Sequence, residues 1–195
     1  AVYIKELIPG WNWKINIVDQ FEEFVKKNMK PLAWAMMGLA IVLGVYTGIL
    51  LSAFNARPLW NTSILGPLFL VSGLSTGLAA IIWMSKSHFE RKVLTKIDIA
   101  LICVELFLII HLFMGFLAGS AVSIEAAELF LGGPFTTTFW GGVVILGLII
   151  PAILETLELA GYKVPVWIPS FLVLLGGLLF RFIMVEAGQI TRFLY

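Results

Sequence analysis

From residue 31 onward the chain alternates between long apolar runs and short polar ones. The first run, "PLAWAMMGLAIVLGVYTGILL" (31–51), contains no charge, and the polar turn "SAFNARPLWN" (52–61) follows it directly. About 20 consecutive apolar residues suffice for a helix to cross roughly 30 Å of hydrocarbon, whereas a membrane strand needs about ten residues of alternating pattern. Five runs meet the helical requirement, and the pattern predicts spanning helices over 31–54, 63–84, 96–121, 137–157 and 165–190. In hydrocarbon a helix satisfies its own backbone, so continuous runs of this length become helices. The predicted fold class is all-α, a polytopic transmembrane helix bundle.

Ahead of the first run, "INIVDQFEEFVKKNMK" places Ile15, Val18, Phe21 and Val25 at helical spacing and ends in Lys26, Lys27 and Lys30. Residues 1–30 therefore read as an amphipathic segment lying on the membrane surface, and 31–195 as the transmembrane domain. Orientation follows from the basic residues. Lys5, Lys14, Lys26, Lys27, Lys30, Lys86, Arg91, Lys92, Lys96 and Lys163 share one side, against Arg57 and Arg192 on the other. The positive-inside rule puts the first side in the cytoplasm. The "ARPLWN" turn, Glu125, Glu128 and the C-terminus then lie outside.

Composition agrees with this reading. The chain is 60% hydrophobic and only 13% charged, with a mean hydropathy of +0.99. A net charge of +1 argues against nucleic acid as a partner. A single cysteine, Cys103, excludes a disulfide framework and any four-Cys cluster within the chain. His111 and His88 fall at different levels, which argues against a haem held by two histidines, and no metal site is predicted. No HExxH, GxSxG or P-loop pattern occurs, so hydrolase and nucleotide-driven readings lack residues. Gly44 and Gly48 in the first run, and Gly73 and Gly77 in the second, have the spacing of close helix contacts.

Ionisable side chains cost about 2.5–3.5 kcal/mol at a helix centre, so each one inside a run needs an account. The third run holds Asp98, Glu105 and His111, and the fifth holds Arg181 and Glu186. Seven residues separate Asp98 from Glu105, which places them on one face, with His111 about 120° away. Counted by helical rise, His111 and Arg181 reach similar depth toward the side of the turn. Asn55, Arg57, Trp60, Asn61, His111, Arg181, Glu186 and Gln189 are therefore expected at one level, where an amphipathic ligand's head group would sit. Structural roles stand beside these. Trp60 reads equally as an interfacial anchor, Arg57 as a lipid-phosphate contact, and Arg181 as a paired structural cation. Glu105 reads as a packing residue or a proton-relay station, His111 as a carbonyl donor, and Asp98 as an interfacial residue.

The stretch "GVYTGILLSAFNARPLWNTSILGPLFLVSGLSTGLAAI" (44–81) resembles the NrfD family, which includes the membrane subunit of polysulfide reductase. "GGLLFRFIMVEAGQ" (176–189) resembles the family's C-terminal helix. The resemblance implies about eight helices in two halves, with no haem or iron–sulfur cluster of their own. It implies electron passage between menaquinol, or another quinone, and a docked iron–sulfur subunit that serves a catalytic molybdenum or related subunit. Asn55, Arg57, Pro58 and Trp60 carry over with the turn, and Glu105 and Arg181 less firmly. Five helices match the family's fourth onward, so the chain reads as part of a longer protein, or as a separately encoded half.

The expected function is a quinone-interacting membrane subunit of a respiratory oxidoreductase in a prokaryotic cytoplasmic membrane. Asn55, Arg57, Trp60, Glu186 and Gln189 would meet the quinone head group or the partner. Glu105, His111 and Arg181 would relay protons or pair charge. A proton- or ion-conducting subunit and a passive membrane anchor are the alternatives.

Overall fold

The computed structural model describes residues 24–54, 56–85 and 87–191, and the chain divides into two compact units, 1–43 and 44–195. The described helices are α1 (Met29–Ser52), α2 (Leu65–Met84), α3 (His88–Leu117), α4 (Ala121–Leu131), α5 (Thr137–Leu159) and α6 (Trp167–Ile190). All but α4 are long and apolar enough to cross a membrane. The 11 residues of α4 reach only about 16 Å. No strand occurs among the described residues. The surface segment expected before residue 24 lies outside the described residues.

In the first unit, α1 presents Trp34, Leu39, Val42 and Leu43 as exposed apolar side chains, as a helix facing lipid does. In the second unit, α2, α3, α5 and α6 form a closed ring: α2 packs on α3 and α6, and α5 packs on α6 and α3. Phe69, Ile102, Val143 and Phe180 fill its interior, with Phe69 and Phe180 tilted against each other at 5.4 Å. At one end Phe113, Phe130, Phe139 and Trp140 interlock, mostly edge to face, and fasten α4 to the ring.

With no hydrophobic effect between helices in lipid, close backbone approach supplies much of the attraction. Gly48 sits against the backbone of Gly66, and Gly44 against Leu70, which seats the second half of α1 on α2. Gly147 of α5 and Gly176 of α6 meet backbone to backbone, and a side chain on either would overlap the other helix. Gly77 faces open space, so the second predicted pair contributes only Gly73 to packing.

The helix limits differ from expectation at two places. α3 begins at His88 rather than 96, because Ser87 caps it by accepting from the Glu90 backbone N–H at 3.5 Å. Charged residues that read as a link therefore form two further helical turns. α3 also ends at Leu117 rather than 121, and 122–131, expected as a link, is helical because Ala126, Ala127 and Phe130 share a buried face while Glu125 and Glu128 point outward. Within α5, Thr137–Ile149 winds as a π-helix and Ile150–Leu159 as an α-helix. The winding changes beside Pro151, which has no backbone N–H to lose.

Candidate functional site

The turn after α1 is bonded to the end of α6. Arg57 Nη1 donates to the carbonyls of Gln189 and, at 2.8 Å, Thr191, so its cation caps the carbonyl-rich end of that helix. Trp60 Nε1 donates to the Met184 carbonyl at 2.9 Å, and its indole lies on Gly188, where any side chain would overlap the ring. Leu59 and Trp60 are buried, and Phe54 packs edge-on against Trp60 at 5.8 Å. The polar residues of "ARPLWN" thus hold two helix ends together.

Deeper in the ring, Glu105 of α3 is only 2% exposed, and its neighbours in charge and polarity are Ser72 of α2 and Arg181 of α6. The Arg181 guanidinium occupies a groove floored by glycine. A methyl group on Gly73 would lie 3.6 Å from Nη2, and one on Gly177 would lie 3.1 Å from Nη1. Nη1 donates to the Gly177 carbonyl at 2.7 Å. Thr76 turns its hydroxyl onto the Ser72 and Gly73 carbonyls and its methyl onto Gly177. The glycines keep this groove wide enough for a cation between α2 and α6.

One to two turns further along α3, Asp98 is wholly buried and accepts from Ser75 Oγ at 2.7 Å. Expected near the membrane interface, Asp98 sits ten residues into α3 and is enclosed by α2 and α5 through Ser75 and Glu155. Glu155 of α5, 1% exposed, faces Asp98, so two buried carboxyl groups meet between α3 and α5. Ser72 Oγ lies buried beside Glu105, and Ser170 Oγ is buried without a protein partner. Asp98, Glu155, Ser75, Ser72, Glu105 and Arg181 therefore form a line of polar groups inside an otherwise apolar ring. Seven residues of helix, about 10 Å, separate Asp98 from Glu105 along it.

The structure brings Glu105 and Arg181 together and sets the other candidates apart. His111 is exposed and stacks on Phe107 at 5.9 Å, on the face of α3 away from Glu105. Glu186 and the Gln189 side chain point outward from α6. Asn55 and Arg192 lie outside the described residues. Sequence reasoning passed over Glu155 because "PAILETLELAG" reads as the polar fringe of an apolar run. Ser72 and Ser75 stood out only as part of a longer motif. Their three-residue spacing, together with the seven between Asp98 and Glu105, was the available signal of facing polar stripes.

A bundle of membrane-crossing helices that encloses ionisable and hydroxyl side chains defines a multi-pass membrane protein with polar groups in its interior. The family model for polysulphide reductase, NrfD, matches residues 4–193, and this chain belongs to that family. It is 35% identical over 190 residues to Protein NrfD of Escherichia coli strain K12, covering 93% of this chain and 60% of that protein. It is 32% identical over 199 residues to the NrfD homolog of Haemophilus influenzae, covering 96% and 62%. With the C subunit of polysulfide reductase from Wolinella succinogenes it shares 37% identity over 172 residues, covering 82% and 54%. The chain thus spans somewhat over half the length of these relatives. No solved structure matches it.

Proposed function

We propose that the chain is a quinone-linked membrane subunit of a respiratory oxidoreductase, in which the internal polar line moves protons that accompany electron transfer. The observation that carries this reading is the burial of Asp98, Glu105 and Glu155, with a half-buried Arg181, inside an apolar ring. Each buried charge costs about 2.5–3.5 kcal/mol, which a passive anchor has no reason to sustain. Family membership supports the same class, and a relative that is one lettered subunit of a reductase implies assembly with other subunits.

When bound, a quinol supplies two electrons and two protons. Arg181, with five N–H groups of which Nη1 is engaged by Gly177, retains donors to orient a quinone oxygen. Glu105 beside it accepts and releases a proton, and Ser72 and Ser75 on α2 connect it to the Asp98 and Glu155 pair. Arg57 and Trp60 act indirectly, by fixing the end of α6 that carries Arg181. Electrons leave to an iron–sulfur subunit, and the terminal chemistry belongs to a molybdenum or related subunit. The setting is a prokaryotic cytoplasmic membrane, with the basic end of the bundle in the cytoplasm and the C-terminus outside.

The test is Glu105→Gln and Arg181→Ala in the assembled complex. Quinol-linked turnover should fall at least about tenfold while the complex still assembles. Unchanged turnover refutes the reading. Proton flux through vesicles without any quinone would identify an ion-conducting subunit instead.

A further inference from the structure

Opposite the "ARPLWN" end, the start of α3 and the end of α5 enclose a cavity of about 550 Å³ that the polar line does not use. Arg91, Lys92 and Lys163 line it against a single carboxylate, Glu158, and His88, Thr95 and Tyr162 add polar groups. Arg91 Nη2 lies 3.3 Å from His88 Nε2, and since a guanidinium only donates, that ring nitrogen accepts. His88 Nδ1–H is then left as a donor. Arg91 Nε is buried without a partner.

Height in the membrane narrows the ligand. α3 has 30 residues, about 45 Å of helix, which exceeds the roughly 30 Å of hydrocarbon. Its most polar turns, 88–92, therefore lie among lipid head groups. A cavity between helices at this level with three cations against one carboxylate has the chemistry of a phosphate receptor. We infer that it binds a phosphate-bearing anion, seated between Arg91 and Lys163 with the Tyr162 hydroxyl as a further donor. A phospholipid head group and a soluble phosphate share that chemistry.

The experiment uses the complex purified in detergent and stripped of lipid, with thermal melting followed during titration. The probes are phosphatidylglycerol, phosphatidylcholine and inorganic phosphate. Stabilisation by phosphatidylglycerol well beyond phosphatidylcholine assigns a lipid head group, and stabilisation by inorganic phosphate alone assigns a soluble anion. Either supports the site if Arg91→Gln with Lys163→Gln weakens the apparent affinity about tenfold, while Lys96→Gln on the exposed side of α3 does not. Arg91→Lys should restore part of the loss and shows that the fold tolerates change there. Equal effects of all three probes, or equal losses in the cavity and Lys96 variants, overturn the inference.

Discussion

At one end of the bundle Arg57 and Trp60 direct their N–H groups onto the carbonyls of Met184, Gln189 and Thr191. In its interior Asp98 and Glu155 bring two buried carboxyl groups together, with Glu105 close to Arg181. Both regions consist of polar side chains that an apolar sequence makes conspicuous. A group bonded across to a second helix joins the two, and removing it loses stability. A buried carboxyl set against another carboxyl costs stability while it is present, so its retention points to chemistry. The difference teaches that conspicuousness in sequence says little until each donor and acceptor has been assigned a partner.

Substitutions separate the two regions by the sign of their effect. Trp60→Ala removes a buried indole and the Met184 bond, and should lower stability by about 4 kcal/mol, read from thermal melting in detergent. Gly176→Leu drives a side chain into Gly147, and should cost about 3 kcal/mol with loss of assembled complex. Glu155→Leu works in the opposite direction. It should raise stability by about 1 kcal/mol by removing one of two buried carboxyls that face each other, while quinol-linked turnover falls at least about tenfold. A destabilised Glu155→Leu variant with full turnover would erase the distinction between the regions. Arg57→Gln should lower stability by about 1 kcal/mol, with turnover per assembled complex close to the parent's. Glu186→Gln, on the outward face of α6, should change melting by no more than about 0.5 kcal/mol.

The five crossings were legible in the sequence because uninterrupted apolar runs of helical length admit one solution in lipid. Their limits were less so. The start of α3 depends on the Ser87 cap and on charged residues that are as compatible with a helix end as with a link. α4 was hidden because its apolar face is only a few residues wide. At the site, helical rise matched Arg181 with His111 rather than with Glu105, its neighbour in the structure. Depth does not fix azimuth between helices, so His111 and Glu186 reach the right level while facing away, and Glu155 reaches Asp98 from a run whose own pattern gave no hint. The role of Arg57 and Trp60 depended on Gly188, a residue 128 positions beyond Trp60 that no local reading connects to them.

The seam between Gly147 and Gly176 limits how this ring can work. With two backbones touching and no side chains to act as bearings, α5 and α6 have no clearance to slide or rotate past one another. The proton movement proposed above would then fall to swings of individual carboxyl and hydroxyl groups, with the glycine seam as a fixed conduit wall rather than a rocking gate.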